Sequence, residues 1–320
     1  MTTGYEIRIS VRDLVEYVYR SGDLDSRFVG MGKAIEGTRL HIKIQGLRKD
    51  EAAESGETYY KEVSVSKRVC FGDIVFVVSG RIDGLLKGIE GITLEEIKTT
   101  SGPLEIISED TYPVHWAQAL CYAYMYESEQ SEKVTDIRLT YYNVDSGEQK
   151  ILNKTVNFEE LEKHFSEVVE KYYGWAYAAC EWSALRNSTI KNLEFPYDKY
   201  RKNQRKLAVA VYKTITASGR IFIQAPTGTG KTISVLFPAV KAMGEGNTEK
   251  IFYLTAKTIT RQAALDAIGK MQGKGLRIKA IVLTAKDKIC FKEDANCNPE
   301  YCEFAKGHFD RVDHAILDIF

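Results

Sequence analysis

Apolar residues recur at helical spacing near the start of the chain. Ser10-Val11-Arg12-Asp13, then Leu14, Val15, Tyr17 and Val18, predict a capped amphipathic helix that ends at the Ser21-Gly22-Asp23 break. From residue 62 to residue 98 the period shortens to two. Val63, Val65, Val69 and the stretches 74–78 and 92–97, punctuated by Gly72, Gly80, Gly84 and Gly91, predict a meander of short strands. Pro113 opens a helix expected to reach residue 126, and a hairpin follows over 137–142 and 150–156 around Asp145-Ser146-Gly147. A long helix begins after Asn157. In it Phe158, Leu161, Phe165, Val168, Val169, Tyr172 and Tyr173 share one packing face, with Asn157 and Glu160 as the cap.

Residues 187–196 are polar and weakly periodic, and the domain boundary is placed there, giving domains 1–190 and 191–320. Beyond it, helical stretches at 198–215, 231–243 and 258–271 alternate with apolar stretches at 221–224, 251–255 and 278–283, the order expected of parallel βαβ units. The expected class is therefore α/β in both halves.

Composition narrows the field. With 320 residues, 44% hydrophobic and 28% charged, the chain has the balance of a folded protein and the length of two domains. Six Cys are too sparse for a disulfide framework. No apolar run approaches the roughly 20 residues of a membrane span, and the N-terminus lacks the pattern of a secretory signal, so a cytoplasmic protein is expected. The net charge of zero hides an asymmetry. Residues 1–200 carry 24 Lys and Arg against 33 Asp and Glu, a net of −9, and residues 201–320 carry 20 against 11, a net of +9. A basic half suits a polyanion, whereas an acidic half needs another reason to approach one, such as a divalent metal.

Ala225-Pro226-Thr227-Gly228-Thr229-Gly230-Lys231-Thr232 follows a predicted strand and opens a predicted helix, the context of a phosphate-binding loop. Glycines at Gly228 and Gly230 let backbone N–H groups curl around phosphate. Lys231 would neutralise it, and Thr232 would complete a Mg2+ shell. Ala225 stands where the strict pattern has Gly. Here the sequence resembles the DinG/XPD type of superfamily 2 DNA helicases, from about residue 195 onward. Phe195-Pro196-Tyr197 with Tyr200-Arg201-Lys202-Asn203-Gln204 is similar to that family's adenine-reading motif, which makes Gln204 the base contact. Residues 225–232, including Thr227 and Thr229, match its motif I for ATP. Leu254-Thr255-Ala256-Lys257-Thr258 matches motif Ia on the DNA track, where Lys257 and Arg261 are either phosphate contacts or a solvated helix start.

Cys290, Cys297 and Cys302 lie close together, whereas Cys70, Cys121 and Cys180 are scattered in apolar surroundings. Three clustered thiols point to metal ligation or to unligated thiols; a cluster or zinc site takes four ligands. The helicase resemblance implies a [4Fe-4S] insertion at this place, its fourth Cys falling after Phe320 together with the acidic motif II and the second motor domain. The uncapped amphipathic end is accordingly read as an N-terminal part of a longer protein. Asp266, Asp287 and Asp294 lack the preceding apolar strand that an acidic box needs.

In the first half, Glu96-Ile97-Lys98 lies on a predicted strand, where period two puts Leu94, Glu96 and Lys98 on one face and Glu95 and Ile97 on the other. Asp83 precedes it on the adjacent strand, so two carboxylates can converge on one divalent ion, with Lys98 beside them. Asp83 with Glu96-x-Lys98 resembles the PD-(D/E)XK nuclease fold, a mixed sheet flanked by helices, over about residues 5–185. Flanking motifs point to its RecB-type exonuclease branch. Gly37-x-x-x-His41 is similar to the branch's upstream His ligand, and Gln118-x-x-x-Tyr122, one face of a helix, to its downstream motif. Ile82 stands where the family name has Pro, and His115 is a rival to His41. The resemblance implies Asp83, Glu96, Lys98, Gln118 and Tyr122 as catalytic, and His41, Asp83 and Glu96 as ligands of Mg2+ or Mn2+. A strand salt bridge plus a core Gln and Tyr would also produce each motif singly.

The sequence thus reads as a metal-dependent DNA nuclease joined to the start of a RecA-like, ATP-dependent iron-sulfur helicase motor. Its expected partner is DNA with single-stranded character, in repair or processing. A non-catalytic DNA-binding clamp beside an ATPase, and a P-loop NTPase unrelated to DNA, are the alternatives.

Overall fold

In the computed structural model the described residues are 4–26, 31–89, 91–130, 132–226, 228–256 and 258–319. They divide into two compact units, Met1–Tyr177 with Lys286–Phe320, and Ala178–Ala285. Among the described residues no helix is long and apolar enough to cross a membrane.

The first unit begins with β1 (Tyr5–Ser10) and α1 (Val11–Tyr19). Ser10 ends the strand and caps the helix, its hydroxyl accepting the Asp13 N–H at 3.0 Å. Next come α2 (Met31–Ser55), β2 (Thr58–Phe71), β3 (Ile74–Lys87), β4 (Ile92–Thr100), α3 (Pro113–Gln130), β5 (Val134–Asn143), β6 (Gln149–Thr155) and α4 (Phe158–Lys191). The predicted meander, hairpin and long helix are all present. The Asn157 side chain caps α4 at the Glu160 N–H, 3.0 Å away. The strand β1 and the 25-residue helix α2 are elements that the sequence pattern had not predicted.

One mixed sheet results. β2 pairs antiparallel along one edge of β3, while two strands share the other edge: β1 runs parallel to residues 74–79, and β4 runs antiparallel to residues 84–87. Residues 80–83 of β3 therefore lie in a fork, without a ladder partner on that side. Beyond Glu95, β4 leaves β3 and continues only beside β5, to which it is parallel; β6 closes the sheet. On one face Leu94 joins Val11 and Leu14 of α1, Ala119 and Met125 of α3, and Leu161 and Phe165 of α4 in the main core. On the other, Ile97 packs with Ile44 and Leu40 of α2 and Tyr142 of β5. The alternation expected of β4 holds, since Leu94 and Ile97, an odd number of residues apart, enter different cores.

Glu95 shows what the α2 face requires. It is 1% exposed and accepts hydrogen bonds from Arg48 at 3.0 Å, Tyr59 at 2.9 Å and Thr140 at 2.6 Å. Gly84 makes room for that arrangement, because a Cβ there would stand 2.0 Å from the Tyr59 hydroxyl oxygen. Gly84→Ala should push Tyr59 off Glu95, leave a buried carboxylate short of a donor, and destabilise the chain by about 3 kcal/mol. A urea midpoint equal to that of wild type would show that Tyr59 moves without cost.

The second unit contains α5 (Gln204–Thr216), α6 (Lys231–Gly244) and α7 (Thr258–Gln272) around Ile190, Leu193, Ile233, Leu236, Val240, Met243, Ala267 and Met271. Helix α5 starts six residues later than expected because Asn203, at φ 64, takes the left-handed conformation just before it. The three apolar stretches expected as parallel strands form no ladder among the described residues, so the parallel sheet is a correction to the sequence reading. A parallel strand is held when both of its faces are covered. Ile251 and Ile278 reach the core, but Phe222, Phe252, Leu254 and Ile281 stay between 75% and 100% exposed. A final helix, α8 (His308–Ile319), belongs to the first unit.

Candidate functional site

The fork in the first unit gathers side chains from four elements. Asp83, the last unpaired residue of β3, turns its carboxylate across the gap, where Oδ2 accepts the Ile97 N–H that β4 no longer gives to a strand, at 2.8 Å. On the α3 face of β4, Lys98 Nζ lies 2.8 Å from Glu96 Oε1 and donates to Gln118 Oε1 at 2.9 Å. The Gln118 amide in turn donates to the Tyr122 hydroxyl at 3.4 Å. Gly80 admits that ring, since a Cβ there would stand 2.5 Å from it. From the α2 side, His41 Nδ1 comes within 3.7 Å of Asp83 Oδ1. All six residues singled out in the sequence meet here.

His115, the rival, is committed elsewhere. Its Nδ1 is 3.0 Å from the Tyr141 hydroxyl and its ring packs on Tyr112 and Tyr141, with burial pushing the imidazole down to about 3. Sequence reasoning missed Gln45. This buried side chain donates at 2.9 Å both to the Asp83 carbonyl and to Glu62 Oε1, where the β2–β3 register skips the Glu62/Asp83 pair and Glu62 adopts φ 56. Gln45 follows His41 by one helical turn, so recognising α2 would have put both on one face.

Glu96 is 3% exposed, and its Oε2 is buried with no hydrogen-bond partner. Burial pushes its carboxyl up to about 7 against the attraction of Lys98, and Asp83 adds to the rise. The nearby Asp83 carboxylate raises His41 in turn. Among the described residues no three His, Cys, Asp or Glu side chains are gathered closely enough to hold a metal ion. An orphaned carboxylate oxygen, a second carboxylate and an imidazole are nevertheless the donor types that Mg2+ or Mn2+ takes, and His41, Asp83 and Glu96 would supply them once drawn together.

A pH dependence follows. The folded value for Glu96, about 7, lies above 4.5, its ordinary value, so the folded state holds the proton more tightly. Stability from this group is complete below pH 4.5, falls as pH rises, and is lost above 7. In EDTA, Glu96→Gln should be as stable as wild type near pH 4 and more stable by about 3 kcal/mol above pH 8. Urea titrations at both pH values check this, and a gap that does not grow with pH would mean that the carboxylate is already compensated.

In the second unit the loop ahead of α6 has the curl expected of a phosphate cradle, with Gly228 at φ 76 and Gly230 at φ 75. Lys231 Nζ folds back onto the Ala225 and Pro226 carbonyls at 2.8 Å, and the Thr229 hydroxyl bonds Pro226 O at 2.9 Å. Gln204, 4% exposed, reaches this loop: its amide donates to Gly230 O at 3.3 Å while its oxygen accepts the Arg201 N–H. Arg201 itself bonds Gly228 O, a role the sequence had not assigned. An open cleft of about 630 Å3 runs past Tyr197, Gly230, Thr232, Asp266 and Lys270. Thr227 and Lys257 lie outside the described residues. Arg261 contacts Thr284 at 3.4 Å.

Cys297 and Cys302 are buried together with Ala305, while Cys290 is half-buried and outside that cluster.

No family model matches the chain. It is 26% identical over 113 residues to the probable ATP-dependent helicase MJ0942 of Methanocaldococcus jannaschii, a match covering 35% of this chain and 17% of that protein. It is 25% identical over 159 residues to the general transcription and DNA repair factor IIH helicase subunit XPD of Arabidopsis thaliana, covering 38% and 21%. A solved structure titled SSO0001 overlaps 51% of this chain and 75% of its own with 18% identity and a TM-score of 0.35. The chain thus spans about a fifth of the length of the curated relatives it matches, and its likeness to them is a distant one to helicases.

Proposed function

We propose that the chain joins a metal-dependent DNA nuclease domain, residues 1–190, to the start of a helicase motor domain, residues 191–320, which binds ATP. The observation that carries the nuclease reading is the convergence of Asp83, Glu96, Lys98, Gln118, Tyr122 and His41 at the fork, with Glu96 Oε2 left without a donor. A divalent ion held there by His41, Asp83 and Glu96 would polarise a phosphodiester and make water acidic. Gln118 fixes Lys98 beside Glu96, where its charge would meet the negative charge that develops on the phosphoryl group. Gln45 holds the Asp83 backbone while the Ile97 N–H holds its carboxylate, so the ligand is aimed before substrate arrives.

The motor reading rests on the two relatives named as helicases and on the contact of Gln204 with the phosphate loop. DNA, with single-stranded character, is the proposed substrate of both parts. Cys290, Cys297 and Cys302 would supply three of the four thiolates that a [4Fe-4S] cluster takes. One observation favours the clamp alternative: no three metal donors are drawn together among the described residues. Incubating the chain with a labelled single-stranded oligonucleotide, without ATP, separates the two. Shortening in Mg2+ or Mn2+ and an intact oligonucleotide in EDTA are expected, whereas retention on a gel without shortening in either would favour the clamp.

A further inference from the structure

Residues 20–26, which follow α1, are laced to the cysteine segment. The Leu24 N–H donates to the Ala305 carbonyl at 2.8 Å and the Ser26 N–H to the Cys297 carbonyl at 2.7 Å, with the Ser26 hydroxyl adding a bond to that carbonyl at 3.0 Å. Carboxylates close the contact reciprocally. Asp23 accepts the Gly307 N–H at 2.6 Å, and Asp310 accepts the Gly22 N–H at 2.7 Å. The Gly22 carbonyl takes the Phe309 N–H at 2.9 Å, and the Arg20 guanidinium stands 3.8 Å over the Phe309 ring. Leu24 packs on Cys297, Cys302 and Ala305, which are 9%, 4% and 1% exposed.

Gly22 and Gly307 have φ of 86 and 58, a backbone conformation that L side chains rarely adopt, and both present their N–H to a carboxylate of the opposite segment. Residues 289–307 contain turns and bends but no helix or strand. Their order therefore depends on what they dock against. We propose that residues 20–26 and 297–310 form a clasp that holds the cysteine segment on the first unit and screens Cys297 and Cys302, so that a reagent or metal ion must open it to reach those thiols. By linkage, whatever engages the thiols in the open form weakens the clasp, and whatever tightens the clasp slows access to them.

Iodoacetamide labelling of the 320-residue chain, followed at each cysteine by mass spectrometry, reads this directly. Exposed Cys70 and fully buried Cys121 serve as internal standards. In wild type, Cys297 and Cys302 should label about tenfold or more slowly than Cys70. Asp23→Ala with Asp310→Ala should speed both about tenfold with Cys121 unchanged, whereas the corresponding Asn pair, which keeps side-chain oxygen acceptors, should stay near wild type. If the Ala pair also exposes Cys121, the unit has unfolded and Arg20→Ala is read instead, with an increase of about threefold expected from loss of the ring contact. Labelling of Cys297 and Cys302 at the Cys70 rate in wild type would overturn the clasp, as would rates unmoved by the Ala pair, or by Arg20→Ala where that variant is read.

Discussion

Asp83→Ala and Lys98→Ala should each slow Mn2+-dependent degradation of single-stranded DNA by about a thousandfold, for different reasons. Asp83→Ala removes a carboxylate that could hold the ion and also strips the Ile97 N–H of its acceptor, so metal affinity and some stability go together. Asp83→Asn keeps an oxygen for that N–H and should lose activity with the fold intact. Lys98→Ala leaves His41, Asp83 and Glu96 in place, so Mn2+ binding should persist while the rate falls. Circular dichroism confirms folding, and single-turnover cleavage of a labelled oligonucleotide gives the rates. A Lys98→Ala chain that cuts normally would remove Lys98 from the chemistry and favour the clamp.

Lys231→Ala should weaken ATP binding about a hundredfold, the scale of one lost charge-assisted contact to phosphate. The effect is bounded because Lys231 already bonds the Ala225 and Pro226 carbonyls, which a nucleotide must displace. Turnover needs more: a carboxylate for Mg2+ and the attacking water, and an arginine at the transferred phosphoryl group. Asp266, Asp287 and Asp294 follow no strand in the structure. The chain should therefore bind ATP without DNA-stimulated hydrolysis, and Mn2+-dependent degradation of DNA should need no nucleotide. Binding is read with a fluorescent ATP analogue and hydrolysis by phosphate release. Robust DNA-dependent turnover abolished by Lys231→Ala would contradict this.

Local chemistry was what the sequence made legible. Ser10 and Asn157 announced their helices because capping depends on a few adjacent residues, and period two placed Glu96 and Lys98 together because a strand's faces alternate strictly. The fork was not legible, since it arises from two strands sharing one edge of β3, a tertiary fact that no local pattern encodes. Helix α2 was hidden by its composition: polar residues face the sheet, where Gln45 bonds the Asp83 carbonyl, Arg48 bonds the buried Glu95 carboxylate and His41 lies beside Asp83. The three apolar stretches of the second unit read as strands because they alternate with helical stretches. Their apolar positions matched a buried sheet, but the faces that such a sheet needs covered remain largely exposed in the structure.

Calorimetric titration of Mn2+ into the metal-free chain, in buffers of differing ionisation enthalpy, tests most directly whether the fork is a metal site. Glu96, with its carboxyl raised to about 7, must surrender its proton to become a ligand. Each bound ion should release about half a proton or more at pH 7, with His41 adding to it, and almost none at pH 9. Asp83→Ala should abolish binding, and Glu96→Gln should remove the Glu96 share of the release. Mn2+ that binds without releasing protons at pH 7, or binds equally well to Asp83→Ala, would place the ion elsewhere and contradict the site.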